Sequence, residues 1–447
     1  MEVEIISKEN IKPSSPTDHH LRTFKRSSLD PYCPPQYIPL ILFYTPNPTD
    51  DHVNGTTNVV NLISDRLKRS LTETLTRFYP MAGRIRDDNT WVECTDEGVE
   101  YTETRINGKV SDFTMTSELL HQLVPVHTNL ATEVPAVIQV NFFSCGGVAI
   151  AVCISHKMGD TSTYATFINS WAATARGASA AYPTFDSQSL FPIPGVPDTV
   201  TDLKECDSSD EEQHKTENLV TKRLVFDGAK VSALRGRIGE TVTTLKYPTR
   251  VEAVSALIWN SAMKAGLATS APPPPPAAKD QVSKMYIIVN VRKKMDPALS
   301  DSSFGNIFTM ATAEASVTTS AGVDLDDLAG KIRVAIGRID GDHVKRMQNE
   351  IDEEYARFWT AIGRIDGGYN EKKKKSWCNF PLYQIDFGFG TPVWVTSDAL
   401  QVLGKNDIYL MDTRIGKGVE AWIKLKEEEM DVFLKNQELL EFATILD

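Results

Sequence analysis

The stretch VIQVNFFSCGGVAIAVCISHKMGDTSTYATFINSWAATARG, residues 137–177, decides the fold. Polar and apolar residues alternate near its start, and an uninterrupted apolar run at 148–154 follows a Gly-Gly turn, which predicts a hairpin that feeds a buried strand. Beyond Asp160, a residue type that caps helices, apolar positions recur at helical spacing, which predicts a helix. His156 and Asp160 therefore lie between a buried strand and a helix start, where a rigid strand can present a catalytic side chain.

Length and composition indicate an ordinary globular chain with more than one core. The 447 residues suggest two domains of about 200 residues each. Hydrophobic residues make up 41% and charged residues 24%, and the formal net charge is -12. Because a protein that neutralises phosphates usually carries a basic face, this charge argues against a nucleic-acid partner.

Cysteine usage and the N-terminus predict a cytoplasmic protein without a membrane partner. The N-terminal run has acidic residues and lacks the apolar core that a signal peptide needs. No run approaches the roughly 18 apolar residues of a membrane span. The cysteines form no CxxC pair, so we expect reduced thiols and no metal site. They are Cys33, Cys94, Cys145, Cys153, Cys206 and Cys378.

Strands and helices interleave in both halves, which predicts an α/β fold with two layers built on mixed sheets around a shared cleft. We assign residues 1–185 to an N-terminal domain, 186–218 to a polar, acidic crossover linker and 219–447 to a C-terminal domain. Outside the opening stretch, helices are predicted over 59–78, 250–265, 323–337 and 343–362, regular structure without an assigned type over 230–238, and strands over 38–44, 91–94, 99–101, 219–226, 286–291, 382–385, 393–396 and 408–411.

Taken alone, the pair His156 and Asp160 is a weak signal. In a chain with this many histidines and aspartates, about half an occurrence of HxxxD is expected by chance. A second interpretation therefore stands beside catalysis: His156 is a hydrogen-bonded core histidine and Asp160 only a helix cap. Cys153, three residues before His156, points to the opposite face of an ideal strand, which argues against a Cys-His dyad.

A second motif changes the weight of the first. HKMGD at 156–160 and DFGFG at 386–390 occur in this order, some 230 residues apart, and together they resemble the HxxxD and DFGWG signatures of the plant BAHD acyltransferases. The N-terminal run, the Cys-Gly-Gly turn and GVEAW are most similar to the vinorine-synthase-like branch of that family. Further segments at family-like positions are YPMAGR at 79–84, CGGVAI at 145–150, RVEAVSALIW at 250–259, FGN at 304–306 and GVEAW at 418–422.

The resemblance implies both a fold and a reaction. The fold would be two chloramphenicol-acetyltransferase-like domains, each a mixed β-sheet flanked by helices, with the active-site channel between them. The reaction would move an acetyl or short acyl group from acyl-CoA, with acetyl-CoA the expected donor, onto the hydroxyl of a plant specialised metabolite. We expect a monomer with no permanently bound cofactor. The rival interpretations are N-acylation of an amine or polyamine, and a non-catalytic relative that binds a metabolite.

The resemblance also implies roles for single residues. His156 would be the general base that takes the proton of the acceptor hydroxyl. Asp160 would turn away and pair with Arg292, bracing the loop, unless Arg292 is a solvated surface charge. Trp377 would donate its indole N–H to the oxyanion, with core packing as the alternative. Lys375 stands where the family often has threonine.

The second motif departs from the family at two positions. Asp386, Gly388 and Gly390 would hold the loop in shape, as in the family signature. Phe389 replaces the usual tryptophan, and Thr391 stands where a basic residue is frequent, so both are candidate cofactor contacts whose chemistry differs from that of relatives.

A polyanionic co-substrate needs local basic groups in a chain of net charge -12. Candidate contacts to CoA are Ser255 on the predicted 250–265 helix, Lys293, Lys294 and the lysine run at 372–375, although such a run is more often a solvated face. Phe43 and Asn306 are the candidate residues of the acceptor pocket.

Overall fold

The computed structural model consists of two units, distinguished by the contacts that their segments make. It describes residues 3–30, 33, 36–46, 56–86, 91–114, 117–125, 133–193, 218–240, 247–269, 281–317, 323–349, 371–397 and 404–446. The first unit comprises Met1–Ile193, Pro297–Ile307 and Phe380–Val402, and the second comprises Pro194–Asp296, Phe308–Asn379 and Leu403–Asp447.

Strands and helices alternate along the described residues, as predicted. The strands are β1 Val3–Ile11, β2 Thr23–Lys25, β3 Tyr37–Tyr44, β4 Arg84–Ile85, β5 Trp91–Glu93, β6 Val99–Ile106, β7 Ala136–Phe143, β8 Val148–Ser155, β9 Leu219–Phe226, β10 Gln281–Asn290, β11 Phe308–Val317, β12 Glu371–Ser376, β13 Trp394–Thr396, β14 Asp407–Asp412, β15 Val419–Lys426 and β16 Thr444–Leu446. The α-helices are α1 Thr56–Arg77, α2 Val110–Thr114, α3 Thr161–Ala175, α4 Ser187–Leu190, α5 Gly228–Glu240, α6 Arg250–Thr269, α7 Leu325–Gly337, α8 Gly341–Asn349, α9 Glu427–Phe433 and α10 Gln437–Phe442. Short 3-10 helices cover His19–Leu21, Tyr79–Ala82, Ser117–Leu123, Arg292–Lys294 and Leu382–Gln384.

The first unit is built on a mixed sheet with the strand order β1, β6, β7, β8, β3, β13. β6 and β7 run parallel, whereas β7, β8 and β3 pair antiparallel. Every residue of β7 and β8 is buried, which confirms the predicted hairpin and its buried strand. A small second sheet, with the order β2, β5, β4, belongs to the same unit.

Local chemistry explains the hairpin and the helix that follows it. Gly146 has φ of +82°, and a Cβ at Gly147 would overlap the Val110 side chain, so the turn needs both glycines. Helix α3 packs on α1, where the indole N–H of Trp171 donates to the Leu67 oxygen at 3.1 Å. The helix therefore covers the sheet that carries His156 at the end of β8.

The division into units differs from the boundaries predicted at 185 and 219. β13 pairs antiparallel with β3, Trp394 opposite Phe43, and so the segment that carries DFGFG belongs to the first unit rather than to the C-terminal half. The predicted strand over 382–385 is wrong, because Leu382–Gln384 is a 3-10 helix closed by a hydrogen bond from the Gln384 N–H to the Pro381 oxygen.

The second unit is built on another mixed sheet, in the order β11, β10, β12, β14, β15, β9, β16. β12 pairs parallel with both β10 and β14, and the remaining neighbours are antiparallel. Helix α6 is buried along most of its length because its sequence is apolar on more than one face. Two mixed sheets with flanking helices confirm the predicted fold class.

Some predicted segments fall outside the described residues. These are residues 194–217 of the crossover linker, the proline run at 271–278 and residues 350–362 of the predicted 343–362 helix. Within the described ranges, no helix is both long and apolar enough to cross a membrane.

Candidate active site

His156 follows the last residue of β8, at the break before α3. Its main-chain N–H donates to the Gln36 oxygen at 2.8 Å, and the Met158 N–H closes a turn onto the Ser155 oxygen at 2.9 Å. The His156 side chain is half-buried, whereas Cys153 is fully buried in the strand. The strand therefore holds the histidine backbone while the residue keeps some exposure, and Cys153 packs in the core as predicted.

Asp160 joins two segments of the first unit. Its Oδ1 accepts hydrogen bonds from the N–H groups of Ser162 at 3.1 Å and Thr163 at 3.2 Å, which caps α3. Its Oδ2 accepts from the N–H of Ile307 at 3.0 Å. The predicted helix cap is confirmed, and the carboxylate also braces the 300–307 segment against the loop of His156.

The predicted pairing of Asp160 with Arg292 stays a prediction, because Arg292 belongs to the second unit. Arg292 is fully buried, and its main-chain N–H and Nη1 donate to Asn290 Oδ1 at 3.0 and 3.3 Å. The alternative of a solvated surface charge is therefore wrong.

The FGN segment at 304–306 lies against the start of α3. Thr163 Oγ1 and the main chain of Gly305 exchange hydrogen bonds, each 3.0 Å long. Gly305 has φ of +121°, and a Cβ there would lie 2.8 Å from Ser187 Oγ. Only glycine fits this position without strain, and the fit brings the next residue, Asn306, to the loop of His156.

Asn306 bridges His156 and a buried carboxylate. Its Nδ2 donates to the main-chain oxygen of His156 and to Asp30 Oδ1, each at 2.8 Å, and its own N–H donates to Asp30 Oδ1 at 3.1 Å. The other Asp30 oxygen accepts from the N–H and hydroxyl of Ser27 at 2.7 and 2.8 Å. Sequence reasoning missed Asp30, although Ser27 to Asp30 has the residue types of a side-chain-closed turn.

The two residues predicted for the acceptor pocket are fully buried in the first unit. Phe43 stacks on Trp394 with ring centroids 5.1 Å apart, while the Asn306 amide is used in the contacts just described. A role of either residue in the acceptor pocket stays a prediction.

The DFGFG loop is held by its own aspartate. Asp386 Oδ1 accepts from the N–H groups of Gly388 at 2.7 Å and Gly390 at 3.0 Å, and both glycines have positive φ. Arg66 Nη1 donates to the Gly388 oxygen at 2.9 Å, and Arg176 lies 3.9 Å from Asp386. These contacts fit the structural role that we predicted for the three motif residues.

Phe389, which replaces the usual tryptophan of the motif, still makes aromatic contacts. Its ring meets that of Tyr44 edge-on with centroids 5.0 Å apart, and Phe387 stacks alongside at 6.1 Å. Thr391 is exposed. Contact of either residue with CoA stays a prediction.

The remaining predicted site residues belong to the second unit. Ser255 on α6 is fully buried, and its hydroxyl has no hydrogen-bond partner among the described residues. Trp377 is 4% exposed, and its ring lies 5.5 Å from that of Tyr409. A buried hydroxyl without a partner is a group that a ligand can satisfy.

The lysine run forms β12 and is not a uniformly solvated face. Lys372 and Lys374 are 0% and 3% exposed because alternate residues of a strand point to the core. Burial lowers the pKa of each to about 8. Lys372 Nζ donates to Asn406 Oδ1 at 2.8 Å, and the half-exposed Lys375 donates to Asp407 at 3.2 Å. The alternative of a solvated face is therefore wrong for Lys372 and Lys374.

Comparison with known proteins adds relatives along the full length. The profile of the Transferase family matches residues 1–440. The (13S,14R)-1,13-dihydroxy-N-methylcanadine 13-O-acetyltransferase AT1 of Papaver somniferum is 39% identical, over 96% of each chain. Stemmadenine O-acetyltransferase of Catharanthus roseus is 34% identical, over 100% of this chain and 98% of the relative.

Solved structures agree in fold. The crystal structure of vinorine synthase superposes with a TM-score of 0.79 at 32% identity, covering 99% of this chain and 98% of the other. The F. graminearum TRI101 structure with coenzyme A and T-2 mycotoxin has a TM-score of 0.74 at 14% identity, covering 95% of this chain and 100% of the other.

Proposed function

This chain belongs to the Transferase family, the BAHD acyltransferases, and from that premise we propose that it moves an acetyl group from acetyl-CoA onto a metabolite hydroxyl, with His156 as general base. The observation that carries the proposal is how the main chain of His156 is hydrogen-bonded and how far the residue is buried. Both its peptide N–H and its carbonyl oxygen are hydrogen-bonded, and the residue is half-buried rather than fully buried at the end of a buried strand. A general base needs such a fixed backbone outside the closed core.

The proposed reaction is a direct transfer. His156 accepts the proton of the acceptor hydroxyl as its oxygen attacks the thioester carbonyl carbon, and a C–O bond forms. The tetrahedral intermediate then collapses, the C–S bond breaks, and the sulfur of CoA takes the proton back from the imidazolium. No acyl-enzyme is required, which agrees with the full burial of Cys153.

Other residues take supporting roles in the proposal. Trp377 donates its indole N–H to the developing oxyanion. Ser255 contacts CoA, a role supported by its buried hydroxyl, which has no partner in the described part of the chain, and Phe389 and Thr391 lie on the CoA side of the reaction. Asp160 and Arg292 brace the loop of His156, and Phe43 lines the acceptor pocket. We also propose a cytoplasmic monomer.

The acceptor in this proposal is the hydroxyl of a plant specialised metabolite. The support comes from relatives that are named as O-acetyltransferases, among them a limonoid 7-O-acetyltransferase and salutaridinol 7-O-acetyltransferase, the latter 36% identical over 98% of each chain. These names support transfer to oxygen rather than to an amine.

The test is a CoA-release screen. Purified protein is incubated with acetyl-CoA or with longer acyl-CoAs, against a panel of alkaloid and limonoid alcohols and the matching amines. We expect release of CoA with acetyl-CoA and at least one alcohol, with the O-acetyl product seen by mass spectrometry. Turnover with amines alone would overturn O-acylation, and turnover only with long-chain donors would overturn the assignment of acetyl-CoA.

A further inference from the structure

We propose that Asn306 and Asp30 are positioning residues for His156, which fix the Cα–Cβ direction of this residue, and so the place of its imidazole, by holding its main-chain oxygen. The inference rests on the proposed role of His156 as general base. It assigns neither residue a contact with substrate.

The geometry orients the Asn306 amide without ambiguity. A main-chain carbonyl oxygen can only accept hydrogen bonds. The amide nitrogen of Asn306, not its oxygen, must therefore face the His156 oxygen at 2.8 Å. The second hydrogen of the same nitrogen is then directed to Oδ1 of Asp30, a residue that is 2% exposed, also at 2.8 Å.

The bridge is rigid because its neighbours are held independently. On one side of Asn306, Gly305 is hydrogen-bonded to Thr163. On the other side, the Ile307 N–H donates a hydrogen bond to Asp160. Asp30 is tied in turn to Ser27 by two hydrogen bonds. The carbonyl of His156 is therefore anchored to a segment that cannot shift alone.

Anchoring at the carbonyl fixes the direction in which the side chain leaves the backbone. The N–H of His156 is held by Gln36 and its oxygen by Asn306, so the peptide groups on both sides of its Cα are fixed. The Cα–Cβ bond then has one direction. Proton transfer requires the base within about 2.6–3.2 Å of its proton donor, and an error of about 1 Å can cost on the order of 100-fold in rate.

A feature of Asn306 favours this role over simple core packing. Its Oδ1 is buried and has no hydrogen-bond partner among the described residues. A buried polar atom left without a partner destabilises the folded state, so a side chain chosen for stability alone would avoid it. The amide is explained if its two N–H donors are what the site needs.

The test compares Asn306→Ala with Asn141→Ala. Asn141 is an equally buried asparagine of β7 in the same unit, and its Nδ2 donates to the oxygens of Leu123 at 3.1 Å and Ala149 at 3.2 Å, away from His156. Both variants lose a buried amide, and we expect both to lower the melting temperature. Activity is measured per folded molecule, with acetyl-CoA and the alcohol identified by the screen.

For Asn306→Ala we expect kcat to fall about 10- to 100-fold, with KM for acetyl-CoA changed less than about threefold. Asn141→Ala should keep a wild-type kcat. Asp30→Asn should lower kcat to a smaller extent, because an amide offers one accepting oxygen whereas Asp30 accepts hydrogen bonds at both of its oxygens. Should Asn306→Ala not fold, Asn306→Ser carries the same comparison, since a hydroxyl has one hydrogen and cannot serve both Asp30 and His156.

A wild-type kcat in folded Asn306→Ala, or an equal loss in Asn141→Ala, overturns the positioning role. His156→Ala is measured beside them to separate the two proposals. If His156→Ala is inactive while Asn306→Ala is fully active, the inference fails and the general base stands. If His156→Ala keeps turnover, the proposed function itself fails.

Discussion

Asp160 Oδ2 accepts a hydrogen bond of 3.0 Å from the main-chain N–H of Ile307, a residue 147 positions further along the chain. The other oxygen of the same carboxylate caps α3. Both oxygens of Asp160 are thus used in holding the backbone, which separates its role from that of His156, four residues earlier. His156 is therefore the residue available for the proposed proton transfer, whereas Asp160 holds the backbone in place.

Asp160→Ala should therefore act on stability first. Loss of the cap costs about 0.5–2 kcal/mol, and the Ile307 N–H left unpaired adds about 1–3 kcal/mol to the loss in free energy of unfolding. Urea denaturation measures the change. The matched control is Asp324→Ala, because Asp324 stands at the N-cap of α7 but makes no capping hydrogen bond. A wild-type unfolding curve together with selective loss of turnover would contradict the bracing role.

His156→Ala should act on turnover alone. General-base catalysis contributes about 10²- to 10⁴-fold, so we expect a loss of that size in the rate of CoA release. The melting temperature should stay within about 2 °C of wild type, since His156 is only half-buried and the substitution keeps the hydrogen bonds of its backbone. His20→Ala, at an exposed histidine of the same unit, is the control and should be silent. Undiminished release of CoA in His156→Ala would remove the general base from the mechanism.

Lys374 makes stability depend on pH in a predictable direction. The unfolded chain keeps the Lys374 proton up to a pKa near 10.5, whereas burial lowers the pKa in the folded protein to about 8. The folded state therefore binds fewer protons between these values, and the free energy of unfolding should rise as pH increases from about 8 to 10.5. Below pH 8 the full penalty applies, on the order of 3 kcal/mol.

Lys374→Met should remove that penalty. We expect the variant to be more stable than wild type at pH 7 and to lose about half of the pH dependence above pH 8, since Lys372 has a similarly lowered pKa, both followed by chemical denaturation. Lys375→Met is the control on the same strand, where the side chain is 41% exposed. Equal effects of the two substitutions would mean that burial of Lys374 is not the cause.

The DFGFG loop offers a matched pair of glycines. Gly388 has φ of +94°, and a Cβ there would lie 2.5 Å from Arg66 Nη1, whereas Gly390 has φ of +102° with nothing within 4 Å. Both alanine substitutions introduce backbone strain of about 1–2 kcal/mol, but only Gly388→Ala also displaces Arg66 from the loop. Thermal unfolding should therefore show the larger loss for Gly388→Ala. Equal losses would show that the Arg66 contact contributes little.

Strongly periodic segments could be predicted from the sequence because the spacing of their apolar residues indicates which face is buried. The hairpin β7–β8, helix α3 and its Asp160 cap all depend on residues within a few positions of one another. The HxxxD and DFGFG motifs identified the family for a similar reason, since each carries its chemistry or its turn within five residues.

Long-range placement was different. Pairing of β13 with β3 brings the DFGFG segment to the N-terminal unit, and no local pattern near Trp394 names Phe43 as its partner. Lysine is usually exposed, yet Lys372 and Lys374 are buried. Their burial follows from the position of β12 between β10 and β14, which the sequence around the lysines does not reveal.

The sequence by itself determined the α/β elements, the family and the identity of the proposed base, since all three are written in local patterns. Only the tertiary structure decided what holds that base. Asp30, His156 and Asn306 lie far apart in the chain, and hydrogen bonds of 2.8 Å join them once the first unit has folded. A hydrogen bond requires two atoms to lie close together in space. For residues far apart in the chain, that distance is set by the fold and cannot be read from their separation in the sequence.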